Sequence, residues 1–312
     1  MELNVVIQSI VIISLMIMIG AILSRTYHFN EDTRSVFISI IVNVAMPCII
    51  LSSIFHVEMN ENTFKMIVFV FCLSILINAA GIGLGWLLSA VFYRHSTNNR
   101  ELALLSGLGN TGFIGIPLCA VLFGPEGALY AAIFDAGVDF TIWTLGALML
   151  QRNKLFDFRT VKSMINMPII AIIGGLVIAY FHIKPPFLII NLVDQLAALA
   201  APLAMFYIGM LVMTLKGTKV KECGSKVWLP LTTKLFILPA LVALLMIFLK
   251  PEQTIAQTIL VQSMMPTLTL ASILFAKYSA DEDIGAITTV LSTLFALLTI
   301  PIMIYLVNIY VL

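Results

Sequence analysis

Charge is the first thing this sequence lacks. Only 11% of its 312 residues are Asp, Glu, Lys or Arg, and 61% are hydrophobic, whereas a soluble domain is about one-quarter charged. So few charges cannot solvate the surface of a water-soluble fold, but they suffice for the loops of a helical bundle in lipid. A formal net charge of +1 leaves no electrostatic footprint for a nucleic-acid partner. Cysteine is also scarce. Cys48, Cys72, Cys119 and Cys223 form no CxxC pair, so neither a disulfide framework nor a metal site is expected. Three of the four lie inside apolar runs and read as small core residues. HExxH, GxSxG and a large extramembrane domain are missing too, which removes the basis for a membrane hydrolase or a receptor. The chain is not expected to be an enzyme or to carry a cofactor. Nor does the N-terminus read as a cleaved leader: Glu2 stands where a basic region belongs, and the run from Leu3 to Ser24 has no small-x-small ending. That run is expected to stay as the first membrane span.

What the chain has in abundance is long apolar stretches. A helix needs about 20 apolar residues to cross the hydrocarbon core. That ruler places spans near 4–24, 35–55, 66–93, 101–123, 127–150, 163–183, 188–215, 227–249, 253–277 and 284–311. The expected class is an all-α integral membrane protein, with residues 1–312 forming one membrane unit of ten helices. Gly124-Pro125-Glu126-Gly127 and Lys250-Pro251-Glu252 read as tight turns between neighbouring spans. Loops after the odd-numbered spans hold thirteen Lys and Arg residues against three in the opposite loops. This bias puts the odd loops in the cytoplasm and both termini outside the cell (inner) membrane.

An odd number of spans per half inverts the second half relative to the first. An offset of 155 residues tests this, laying Gly20 on Gly175, Ala45 on Ala200, Pro47 on Pro202 and Ala131 on Ala286. The halves 1–155 and 156–312 are therefore expected to be inverted five-helix repeats, an arrangement that places transporter sites near the bilayer midplane.

The fourth span is interrupted. Four glycines, Asn110, Thr111 and Pro117 fall between Ser106 and Pro117, where Gly and Pro both weaken a helix. Close packing would use the glycines alone; it needs neither the Asn-Thr pair nor the proline. Freed backbone groups in hydrocarbon must be satisfied by protein, water or ligand. The 155-residue offset carries Thr111 onto Pro266 inside Gln262-Ser-Met-Met-Pro-Thr-Leu-Thr269 of the ninth span, a second polar, proline-bearing interruption. Paired interruptions of this kind mark a transporter site. Half-helix N-termini there would suit a carboxylate, which points to a small organic anion. The candidate substrate-binding residues are Asn43, Asn110, Thr111, Gly112, Gly115, Pro117, Met265, Pro266 and Thr267. Pro47 and Pro202 are expected to bend the second and seventh spans beside the crossing.

Ionisable residues inside the membrane are costly and usually paired or functional. Asp135 and Asp139 lie four apart in the fifth span, hence on one face, and Lys234 lies in the eighth. They read either as a salt bridge between those spans or as a site coupling proton movement to transport. Asp194 reads as a surface residue near the start of the seventh span, and His56, His95 and His182 as interfacial residues.

At this point the residues resemble a family. Gly109-Asn-Thr-Gly-Phe-Ile-Gly-Ile-Pro117, followed by Phe134-Asp135 and Trp143-Thr-Leu-Gly146, looks like the bacterial branch of the auxin efflux carrier family. The plant PIN proteins and the malate and malonate permeases belong to it. The resemblance covers the whole chain. It implies a scaffold domain of spans 1, 2, 6 and 7 and a transport domain of spans 3–5 and 8–10. In the transport domain unwound spans 4 and 9 cross, their prolines marking the crossing. It further implies secondary active transport of mono- or dicarboxylates by an elevator movement, and it allows a homodimer through the scaffold helices. Bile-acid sodium symporters share this general architecture, so proton or sodium coupling stays open, as does a cation/proton antiporter using Asp135 and Asp139. Where many relatives have Asn, this chain has Val138 and Asp139 after Asp135-Ala-Gly, which makes it more acidic.

Overall fold

The computed structural model describes residues 3–26, 30–94, 98–151, 166–213 and 224–310. Within them the chain is helical throughout, and its one β pairing is an isolated bridge between Gly109 and Thr267. Six helices are long and apolar enough to cross a membrane: Ser35–His56, Glu61–Phe92, Thr111–Leu150, Phe187–Leu211, Trp228–Leu249 and Glu282–Ile300. Two shorter apolar helices, Val11–Thr26 and Met167–Tyr180, accompany them. Large apolar side chains point outward; Phe187 is 80% and Phe248 82% exposed. Water would not tolerate that surface, and a bilayer would.

Both expected turns are present. Gly124 adopts φ +68°, and the run Ile116–Thr141 is two helices meeting there at a kink. Lys250 closes Leu238–Leu249 in the left-handed region, at φ 44°, just before Pro251.

Of the four wide π-type turns among the described residues, Ile142–Gly146 has no proline after it; the other three lie at Ile41–Ala45, Thr111–Gly115 and Thr233–Ile237. Each of these three ends two residues before a proline: Pro47, Pro117 and Pro239. A proline has no N–H for the carbonyl four residues back and its ring crowds that carbonyl. The helix responds by widening. Met46 N–H reaches Ile41 O and Leu238 N–H reaches Thr233 O, each five residues back.

The chain divides into two compact units. The first comprises Met1–Phe71, Gly112–Ala136 and Ile165–Met213. Here helix α1 (Leu3–Thr26) lies against Ala200–Val212 at very short range. A Cβ on Gly20 would strike the Phe206 carbonyl, and one on Gly209 would strike the Ile17 carbonyl. Only glycine permits this backbone-to-backbone approach, the membrane counterpart of small-xxx-small packing. Pro202 follows a break at Ala198–Leu199 between Phe187–Ala197 and Ala200–Val212. Asp194 is not a bare surface residue. It accepts a hydrogen bond from Ser52 Oγ at 2.6 Å, and its other oxygen lies 3.6 Å from His56 Nε2.

The second unit comprises Cys72–Thr111, Gly137–Met164 and Thr214–Leu312. Gly112–Ala136 therefore groups with the first unit, although the resemblance places spans 3–5 together. The break after Asn110 allows this, because Gly112 then packs on Met46, and the Phe113 ring lies 6.1 Å from that of Tyr207. Asn98 ties this unit's loops together: it accepts from Lys226 Nζ at 3.0 Å and donates to Asp281 Oδ2 at 3.1 Å. Cys119 is buried and Cys48 half-buried, but Cys72 is exposed, so it is not a core residue. Cys223 and His95 fall outside the described residues.

The contact at Gly209 is directly testable. Gly209→Leu should cost about 1–3 kcal/mol or more through overpacking, lowering the thermal unfolding midpoint in detergent. Gly174→Leu, at a position with open space beyond its Cα, should leave that midpoint unchanged.

Candidate functional site

The site is built where the fourth span stops being a helix. The helix Asn99–Gly107 ends as Leu108 turns extended, at φ −90° and ψ 130°. Asn110 N–H then donates to Pro266 O at 2.7 Å, and Leu268 N–H donates to Leu108 O at 3.2 Å. These two bonds flank the Gly109–Thr267 bridge. Two interrupted spans thus close on each other as a fragment of antiparallel ladder. The Asn110 side-chain amide adds a hydrogen bond to Thr269 Oγ1.

The helix Glu282–Tyr310 holds the ninth-span strand from behind. Thr267 N–H donates to Ser292 Oγ at 3.0 Å, and Thr289 Oγ1 donates to Leu268 O at 2.9 Å. The Ser292 proton goes to Thr289 O at 2.9 Å, so across the 2.9 Å contact with Thr267 Oγ1 it is Thr267 that donates. Thr289, Ser292 and Thr293 share one helical face by their spacing, and all three are buried. No sequence motif singles out Thr289, Ser292 and Thr293, whereas Thr269 and Gly109, which join them here, fall inside the two interrupted segments. The signal for those three is faint: Ser and Thr at i, i+3 and i+4 in an otherwise apolar span.

Lys234 completes the arrangement. It sits in the π turn Thr233–Ile237 and is 2% exposed. Its Nζ donates to Gly107 O at 3.4 Å. A Cβ built on Gly109 would lie 3.0 Å from both Cε and Nζ of Lys234, and 3.5 Å from Met265 O. Within its own unit, among the described residues, no carboxylate lies within ion-pair distance of this ammonium, Asp139 included. Gly109 is buried, and among the described residues no hydrogen bond to its own N–H or C=O is found.

Asn110, Thr111, Met265, Pro266, Thr267, Asp139 and Lys234 lie in the second unit, and all but Asp139 and Thr111 take part in the contacts above. Thr111 is buried beside them and Asp139 is half-buried. Asn43, Pro47, Gly112, Gly115, Pro117, Asp135 and Pro202 lie in the first. Asn43 is exposed there and donates to Ser39 Oγ at 3.2 Å. Gly112 and Gly115 form part of the π turn Thr111–Gly115.

Two expectations about the breaks change. Pro266 does mark the crossing, but Pro117 lies inside Ile116–Thr141, seven residues past Asn110, and acts by widening the turn before it. The ninth span also offers no half-helix N-terminus, since its second helix, Ala271–Lys277, is only seven residues long and Ala271 N–H is bonded to Leu268 O. The fourth span does offer one, but an acidic side chain already lies there. A Cβ on Gly112 would sit 2.8 Å from Asp135 Oδ2, so within the first unit the protein's own carboxylate lies against that helix start.

Ser292 is the test of this construction. Ser292→Ala should strand the buried Thr267 N–H at a cost of about 1–3 kcal/mol. A lowered midpoint of thermal unfolding would register it, with Ser292→Thr expected to keep most of the stability.

Comparison with known proteins shows the family. The family model described as membrane transport protein matches residues 5–159 and 152–304. An uncharacterized transporter of Methanothermobacter thermautotrophicus is 22% identical over 295 residues, covering 94% of this chain and 96% of its own. An uncharacterized transporter of Methanocaldococcus jannaschii is 24% identical over 307 residues, with the same coverage of 94% and 96%. A candidate malonate transporter of Rhizobium meliloti is 24% identical over 211 residues, 64% of each chain. The chain therefore belongs to the membrane transport protein family, the grouping to which its resemblance to auxin efflux carriers points, and it is a transporter and not an enzyme.

Proposed function

We propose that this protein is a secondary active transporter of small organic anions, carrying mono- or dicarboxylates by an elevator-type movement. One observation carries the reading: the ladder between 108–110 and 266–268 brings Asn110 to one buried break with a Lys234 ammonium that has no carboxylate partner among the described residues of its unit. A buried cation without a counter-ion costs several kcal/mol, and a carboxylate arriving at the break would offset that cost. Asn110 and the Gly109 N–H would donate to its oxygens. The name of the Rhizobium meliloti relative gives malonate as the first probe. The architecture proposed for the cycle is ten spans in two inverted repeats, 1–155 and 156–312. The family match supports it by dividing the chain near the same place. The rest of the proposal places both termini outside the cell membrane and forms a homodimer through the scaffold helices. Coupling, where protons drive the cycle, would run through Asp135 and Asp139.

The test is uptake or efflux of labelled malonate in proteoliposomes. Asn110→Ala should reduce transport about tenfold or more, the scale of a lost hydrogen bond to a charged group, with expression unchanged. Undiminished transport by that variant would remove the site from the mechanism. Sodium-dependent proton movement with no organic substrate present would replace the anion carrier by a cation/proton antiporter.

A further inference from the structure

The two interrupted helices meet at the same ends. Helix Asn99–Gly107 stops at Gly107, and Gln253–Ser263 stops two residues before Met265. Both present C-terminal carbonyls to the crossing. A helix C-terminus carries about half a negative charge, and two together in a buried site attract a cation. In transporters with broken helices, such ends and unwound carbonyls are where a coupling cation binds. Here a cation is already present. The Lys234 ammonium bonds Gly107 O at 3.4 Å and lies against Gly109, with Met265 O bordering the same point.

We infer that Lys234 is a resident cation, holding by covalent attachment the place that a dissociable inorganic cation would otherwise take between the two helix ends. This rests on the reading of the crossing as the transport site, and it makes Lys234 the residue that sets ion specificity. The geometry supports attachment over a purely structural contact. The ammonium faces carbonyl oxygen at a helix end and has no carboxylate partner in its unit among the described residues. The π turn before Pro239 contains Lys234, and that turn holds the side chain buried in the unit's interior. Among the described residues of this unit, Glu101, buried at the start of Asn99–Gly107, is the nearest carboxylate in sequence to the crossing.

The experiment reads thermal unfolding of the full-length protein in detergent, with sodium chloride, potassium chloride, methylammonium chloride or choline chloride as the salt. It needs no substrate, so failure of malonate transport and failure of this inference are separate outcomes. Wild-type protein should unfold at one midpoint in all four salts. Lys234→Ala should lose several degrees in choline and regain them in sodium or methylammonium, which fit the vacated space. Lys234→Arg should keep the salt-independent midpoint. A sodium-dependent midpoint in wild-type protein would overturn the inference. So would a Lys234→Met variant as stable as wild type in choline, because an apolar side chain would then serve as well as the cation. If Lys234→Ala does not fold, Gly109→Ala, which crowds the ammonium, decides the matter: its midpoint should become sodium-dependent, and salt-independence would overturn the inference.

Discussion

Everything in the second unit depends on one rule of the bilayer: a peptide group removed from a helix must find a partner in the protein. An unsatisfied group costs roughly 2–7 kcal/mol in an apolar medium. At residues 108–110 and 264–270 the chain leaves helical geometry, and neither interruption could stand alone. Each supplies what the other lacks, through Asn110 N–H to Pro266 O and Leu268 N–H to Leu108 O. Thr289 and Ser292 provide what the pairing leaves over. Among the described residues no bond to the Gly109 N–H or C=O is found, and Gly109 lies against the Lys234 ammonium.

That interdependence explains which parts of the site sequence could reveal. The interruptions were legible, because Gly, Asn and Pro cluster where an apolar helix should run. Their mutual pairing was not, since nothing in Leu108-Gly109-Asn110 specifies Pro266 as a partner. The residues that hold the pairing were also hidden. Ser292 and Thr289 pass as ordinary members of an apolar helix, and only the third dimension shows that their hydroxyls face Thr267 and Leu268. Proline was read too simply. Pro117 and Pro266 look equivalent in sequence, yet one follows a wide turn inside a helix and the other takes part in the ladder. The difference lies in what precedes them: Pro117 has a helix before it that can widen, and Pro266 has a helix that has already ended at Ser263.

In the first unit, composition predicted the helices, and close approach decided how they pack. Gly20 against the Phe206 carbonyl and Gly209 against the Ile17 carbonyl let two backbones touch. The position of Asp194 near a span end suggested a surface residue, while Ser52 Oγ at 2.6 Å makes it a link between two helices. Exposure along a sequence is a statement about one helix. Pairing is a statement about two, and hydropathy does not contain it.

Lys234 joins these strands of argument, because its position follows from a proline that is not itself at the site. Pro239 removes a backbone donor, the turn at Thr233–Ile237 widens to compensate, and the widened turn contains the lysine that reaches Gly107. A cation fixed in this way cannot dissociate during a cycle. If it fills the place of a coupling ion, the loaded site holding one carboxylate is neutral, and the empty site carries one positive charge. Charge movement then falls on the return of the empty carrier, where the membrane potential acts on it at about 2.3 kcal/mol per 100 mV. A dicarboxylate would leave one negative charge uncompensated at the crossing. The electrostatics of the crossing thus favour a substrate presenting a single ionised carboxylate at the moment it is bound.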